Sequence, residues 1–153
     1  MTTDMGLFFA DDIIKPVISG ADYLSDDGLE TAVIISLFTD RRVPAAESPS
    51  DTGERRGWWG DLFPDVEGDQ IGSKLWLSER SKMLNATLSK IETDASDSLQ
   101  WMIDDSVAKD ISVNASFLDG SSDTIAIEIE ITRPDKDKDT FAFHWNAQDI
   151  KRA

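Results

Sequence analysis

Between positions 125 and 131 every second residue is isoleucine: Ile125, Ile127, Ile129 and Ile131, separated by Ala126, Glu128 and Glu130. A two-residue apolar period puts all four side chains on one face of an extended chain, and no helix reproduces it. The same period runs through Ile111, Val113, Ala115 and Phe117, spaced by Ser112, Asn114 and Ser116. It returns in Phe141, Phe143 and Trp145, spaced by Ala142 and His144. The turn signal Asp119-Gly120-Ser121-Ser122 separates the first two runs, and a charged connection from Arg133 to Asp139, containing Pro134, separates the last two. Three successive strands with short links predict an antiparallel meander, apolar on one face and polar on the other. Something must cover the apolar face.

The coverage is predicted from two helical segments. Leu29 to Phe38 is almost continuously apolar, and Asp27 followed three residues later by Glu30 reads as an acidic capping box. Leu29, Ala32, Val33 and Ile35 line one face of that helix, with Ile34, Leu37 and Phe38 widening it. The Arg41-Arg42 pair then suits the negative end of the helix dipole. Further on, Leu75, Trp76 and Leu77 sit in a short helical region, and Ser81 is placed to cap a longer helix. There Leu84, Leu88, Ile91, Ala95, Leu99 and Met102 recur at steps of four, three, four, four and three. That stripe is amphipathic, with Trp101 extending its buried edge and Lys90, Glu92, Asp94 and Asp97 forming a solvated face. The expected class is therefore α+β, with the helices packed on one face of a small antiparallel sheet and the C-terminal meander three-stranded. Residues 5 to 25, interrupted by Pro16 and Gly20, read as short extended segments or a hairpin. At 153 residues, without internal repeat, the chain reads as one domain spanning 1–153.

Positions 40 to 70 are the exception to this regularity, a long connection rich in proline, serine, aspartate and glycine. Loops of that length inside a domain are functional or disordered as a rule. The part from Ala45 to Gly53 reads as mobile. The part from Arg55 to Pro64 holds Arg55-Arg56-Gly57-Trp58-Trp59-Gly60-Asp61 and reads as a shaped loop anchored by its aromatics. Its glycines permit positive φ or a close approach of backbone. The adjacent indoles are either a satellite core pinning the connection or a partner-binding surface. Arg41, Arg42, Arg55 and Arg56 form two basic doublets in an acidic background, suited to clamping the chain's own carboxylates or a partner's.

Chemistry is sought with little return. Cysteine is absent and histidine occurs once, so thiolate catalysis, disulfides and multi-histidine zinc sites are excluded. His144 lies mid-strand on the polar face. Carboxylate pairs such as Glu54 with Asp61, or Asp104 with Asp105, have the residue types of a glycosidase, but 30 acids generate many accidental pairs. Asp135, Asp137 and Asp139 alternate with lysines and lack the glycine and final glutamate of a calcium loop. No glycine pattern cradles phosphate, and no cofactor or metal is expected. The formal net charge of −15 argues against nucleic acid as partner and serves either solubility or steering toward a basic partner. No leader pattern or membrane span is apparent, so a cytoplasmic location is expected.

At these residues the sequence resembles a known family. Leu37-Phe38-Thr39-Asp40-Arg41-Arg42, Arg56-Gly57-Trp58-Trp59-Gly60-Asp61, Ile71-Gly72-Ser73-Lys74-Leu75-Trp76-Leu77 and Leu99-Gln100-Trp101-Met102 occur in order, and with the strand that follows they cover roughly residues 20 to 132. Together they resemble the Mu-like phage tail baseplate protein family, which is similar to the wedge and sheath-initiator proteins of contractile tails, once labelled a lysozyme by sequence. The resemblance implies a non-enzymatic α+β baseplate subunit, made in the host cytoplasm and built into the virion tail. Its implied partners are other wedge proteins, joined through the helices, and the tail sheath, joined by strand pairing. Self-association of the isolated chain is left open, and a peptidoglycan-cleaving tail lysozyme is the alternative reading. Better-known relatives carry Glu-Pro-Arg where a helix hands over to the first meander strand. Here that place reads Trp101-Met102-Ile103-Asp104-Asp105, with Asp104 keeping the acidic part. By the same resemblance, Trp76, Trp101 and Asp104 join the Arg55–Asp61 loop as candidate interaction or loop-ordering residues.

Overall fold

A computed structural model describes residues 28–49, 53–79, 81, 85–119 and 124–146, and the backbone of short strands within 4–26 and 150–152. The three alternating runs form β7 (Asp110–Phe117), β8 (Ile125–Thr132) and β9 (Lys138–Trp145), hydrogen-bonded antiparallel in sequence order. The registers Val113↔Ile129 and Ile129↔Phe141 place apolar residues of all three strands in one row across the sheet. A fourth strand, β10 (Ile150–Arg152), adds to the outer side of β9, so the expected three-stranded meander is extended to four. N-terminal to these, Asp4–Met5 (β1), Leu7–Ala10 (β2), Ile13–Pro16 (β3), Ile18–Ser19 (β4), Asp22–Tyr23 (β5) and Ser25–Asp26 (β6) pair antiparallel as β1–β6, β2–β3 and β4–β5. The β2–β3 ladder is a hairpin of the kind the sequence suggested, with Pro16 closing its end.

Two helices lie over the apolar face. The first, α1 (Leu29–Phe38), and the second, α2 (Asn85–Asp104), share one core with the sheet. Ile125, Ile127, Ile129 and Ile131 are completely buried, as are Ile91, Ala95, Leu99 and Met102 from α2 and Val33 from α1. Each isoleucine removed from water stabilises the fold by about 1.5–3 kcal/mol. Phe38 meets Phe143 edge to face, with ring centres 5.2 Å apart, tying the end of α1 to β9. The opposite face of the sheet, with Ser112, Asn114, Glu128 and Lys138, is exposed.

The structure corrects several local expectations. The N-cap of α1 is Gly28 at φ 83°, without a side-chain cap, while Asp27 lies outside the described residues. Burial takes in Leu29, Thr31, Val33, Ile34, Ser36 and Leu37, leaving Ile35 36% exposed. The apolar run is too uniform to mark a single face, so packing on two sides chooses which isoleucine remains outside. Arg41 and Arg42 do not serve the end of α1; they donate to the Gln70 and Arg56 carbonyls. Helix α2 begins at Asn85, so Ser81 is not its cap, and the Ser81 N–H closes a turn on the Ser78 carbonyl. Leu84 lies outside the described residues.

The polar side of α2 is not merely solvated. Asp94 is buried and paired with Lys90 at 2.6 Å. Glu92 reaches sideways, and its Oε1 accepts the Ala115 N–H of β7 at 2.9 Å. That amide lies on β7, the edge strand against which α2 packs. At Trp101 to Asp105 the end of α2 is closed by backbone bonds. Val107 N–H donates to the Met102 carbonyl and Ser106 N–H to the Ile103 carbonyl, around Ser106 at φ 59°. This is the Schellman pattern, here with serine at the left-handed position that glycine usually takes.

Candidate functional site

The long connection is tied at its base. Asp40 and Ser73 form an isolated parallel bridge, with Arg41 N–H donating to the Ser73 carbonyl and Ser73 N–H to the Thr39 carbonyl, both at 2.9 Å. Ser73 Oγ also donates to the Leu37 carbonyl, and the Trp76 indole N–H donates to the Arg41 carbonyl at 2.9 Å. A second tie joins residues 43 and 55: Val43 N–H donates to the Arg55 carbonyl, and Arg55 Nε returns a bond to the Val43 carbonyl. Within the segment expected to be mobile, residues 50–52 lie outside the described set. Ala45–Glu47 forms a 3-10 turn, held by a Glu47–Lys74 ion pair and by Ser48 Oγ on the Glu54 carbonyl.

Arg56 is the centre of this region. Its guanidinium contacts Asp40 at 3.0 Å, Glu54 at 3.0 Å and both carboxylate oxygens of Glu79 at 3.0 and 2.9 Å. It also lies over the Trp76 ring, 4.7 Å from the ring centre, a cation–π contact on a buried indole. Arg56 itself sits at φ 42°, so the backbone is bent to deliver this side chain. The bond to Glu79, with help from Glu54 and Asp40, raises the guanidinium's pKa further above its ordinary range. Burial raises the Asp40 carboxyl above its ordinary value and outweighs the lowering field of Arg56, with Glu79 and Glu54 pushing the same way as burial. One cation faces three carboxylates, whose mutual repulsion offsets part of its field at Asp40.

The loop is therefore anchored by arginines and not by its aromatics. Trp58 is 46% exposed and Trp59 73%, their ring centres 5.5 Å apart. Neither is a satellite core. The glycines are explained by close approach: a Cβ on Gly57 (φ 111°) would stand 2.5 Å from the Arg42 Cβ, and one on Gly60 would strike the Trp58 ring at 2.1 Å. Gly60 and Asp61 belong to the 3-10 turn Trp59–Leu62, and Asp61 Oδ1 accepts the Ile71 N–H across the loop.

Trp101 and Asp104 belong to a second place. Trp101 is 40% exposed and does not extend the core. Its indole N–H donates to Ser36 Oγ of α1 at 3.0 Å. Asp104 accepts from Gln100 at 3.1 Å on the exposed end of α2. The candidate residues thus fall into an arginine clamp, with Arg41, Arg42, Arg55, Arg56, Gly57 and Trp76, and a groove reached by Trp58, Gly60, Asp61, Trp101 and Asp104, with Arg41 bordering both. Trp59 stands outside both. Sequence reasoning missed Asp40, Glu79, Glu92 and Ser36, since acids and serines are too numerous for spacing to select them.

The residues of the glycosidase pairs serve local contacts, Asp61 being half-buried and accepting the Ile71 N–H. Glu54 is an exposed partner of Arg56, and Asp104 and Asp105 are exposed at a helix end. Asp135 Oδ1 accepts the Asp137 N–H and Asp139 pairs with Arg133, so the alternating charges close a hairpin. Among the described residues no group of three or more acids or histidines is arranged to hold a metal ion.

Residues 29–138 match the family model described as phage protein GP46. The Mu-like prophage FluMu protein gp46 of Haemophilus influenzae is 42% identical over 132 residues, covering 85% of this chain and 88% of that protein. The baseplate protein gp46 of Escherichia phage Mu is 40% identical over 101 residues, covering 65% of this chain and 68% of that protein. The matched span takes in both helices, the arginine clamp and the first two strands of the meander, and on that ground the chain belongs to the phage protein GP46 family.

Proposed function

We propose that this chain is a structural component of a contractile phage or prophage tail baseplate, assembling with wedge proteins and seeding the tail sheath by strand pairing. The relative from phage Mu is a baseplate protein by name. The observation that carries the finer reading is the asymmetry of the sheet. At its β7 edge α2 packs against the strand and Glu92 takes the Ala115 amide, whereas β10 is the terminal strand on the other side. A terminal strand presents N–H and C=O groups to which another chain adds a strand. In this reading the protein catalyses nothing, is assembled in the host cytoplasm and resides in the virion tail. The arginine clamp then has a structural task, which is to hold the long connection in a fixed shape for its neighbours.

The experiment is complementation of a phage lacking this gene with the chain shortened by Ile150–Arg152. Expected are baseplates that carry the protein on tails without sheath. Normal contractile tails with the shortened chain would overturn the strand-pairing role. Normal infectious tails without the protein would overturn the baseplate role. Peptidoglycan release by the purified protein that disappears in Glu54→Gln would overturn the non-enzymatic reading.

A further inference from the structure

Four of the exposed large apolar side chains converge on one groove. Ile35 of α1, Trp101 of α2, and Trp58 and Phe63 of the loop are 36%, 40%, 46% and 80% exposed, and all line a depression of about 800 Å³ between α1, the C-terminal half of α2 and residues 58–72. Both indoles already pack on the protein's own surface. The Trp101 indole N–H donates to Ser36 Oγ at 3.0 Å, and the Trp58 ring rests against Gly60, where a Cβ would stand 2.1 Å from it. Half-exposed aromatics in a concave patch are the usual anchors of a protein interface.

The rim is strongly charged and predominantly acidic. Six aspartates border the groove against a single arginine, Arg41. Asp104 and Asp105 stand at the C-terminus of α2, where the helix dipole is itself negative and where no basic side chain occupies the last turn. Such an arrangement costs stability in the isolated protein and strengthens the field at the groove. Arg41 Nε and Asp61 Oδ2, from two of the lining residues, are buried without a hydrogen-bond partner. A second copy of this chain, at net charge −15, is repelled from such a rim, and so is nucleic acid.

We infer that this groove docks a basic, amphipathic segment of a partner protein, with an apolar side chain seated between Trp58 and Trp101 and Lys or Arg side chains on the aspartate rim. The inference rests on the assembly role proposed above and gives that role a surface and a partner chemistry. It is independent of the β10 edge.

The test titrates the purified chain with three synthetic helical 16-residue peptides of one leucine pattern, with lysine, glutamine or glutamate at the polar positions. The indole N–H signals of all five tryptophans are followed by NMR. Expected is salt-sensitive binding of the lysine peptide that moves Trp58 and Trp101 and leaves Trp76 and Trp145 in place. Trp101→Ala, or Asp104→Lys with Asp105→Lys, should weaken it tenfold or more. The lysines suit the helix end, so that variant remains folded. Glu128→Lys on the far face of the sheet should change affinity less than twofold, separating the groove from general attraction to an acidic protein. Equal binding of the lysine and glutamate peptides, shifts confined to other tryptophans, or dimerisation through the groove would overturn the inference. The shortened-chain phenotype, read in a separate experiment, bears only on the strand-pairing role.

Discussion

Arg56→Met removes the centre of the loop's anchorage while keeping a flexible apolar stem over Trp76. The lost interactions are ion pairs at 3.0 Å to Asp40, 3.0 Å to Glu54 and 2.9 Å to Glu79, in which the arginine is 25% exposed and the acids 44%, 42% and 30%. At such exposure each pair is worth about 0.3–1 kcal/mol, with the two-pronged Glu79 contact at the upper end. The guanidinium over Trp76 contributes about 0.5–1 kcal/mol more. Repulsion among the three released carboxylates adds to the loss, giving about 2–3 kcal/mol at neutral pH. For a domain of this size that lowers Tm by roughly 5–10 °C. The effect must depend on pH with a definite sign. Asp40 already titrates above its ordinary value of 3.8, so its protonated form is favoured in the native state and stability is lost as pH rises from about that value through the folded pKa. Without Arg56 the native pKa of Asp40 rises further, which enlarges the loss at neutral pH and shrinks it on acidification. Urea unfolding of both proteins at pH 4.5 and pH 7.5 measures this. A loss below about 0.5 kcal/mol at neutral pH, or the same loss at both pH values, would refute the reasoning.

Two further outcomes test other parts of the fold. Ser106→Gly relieves the left-handed strain of the turn after α2 at φ 59° and should stabilise the protein by about 0.5–1 kcal/mol in denaturant unfolding. Glu92→Ala removes the acceptor of the Ala115 amide and should cost about 1 kcal/mol, with faster hydrogen exchange at that amide and little change at Ile129.

The sheet was the most legible part of the molecule, because a two-residue period fixes one buried face and short links fix antiparallel neighbours. The burial of Ile125 through Ile131 follows from it directly, while the register to Phe141 and Phe143 is set only in the folded sheet. Helix α1 was legible as an element but not in orientation: Val33, Ile34 and Ile35 look alike in sequence, and only the surrounding helix, sheet and loop decide that Ile35 stays outside. The loop was legible as special, and its arginines as a clamp on the chain's own carboxylates, but its anchorage by aromatics was misread. A pair of tryptophans suggests an aromatic anchor, yet the anchoring is polar and runs through Asp40 and Glu79, 16 and 23 residues from Arg56. Contacts across such intervals carry no local period. The groove was invisible for the same reason, since Trp58 and Trp101 lie on separate elements and meet one surface only after folding.

The connection from Arg41 to Gly72 leaves the core and returns to it through the Asp40–Ser73 bridge, so its two ends stand one hydrogen bond apart. Its length is thereby uncoupled from the rest of the architecture. For a flexible loop, doubling the number of residues costs only about 0.6 kcal/mol in closure entropy, and the strands and helices would not move. The segment is thus closed on itself at the bridge, and a change of length away from the Arg56 contacts costs the packed body little.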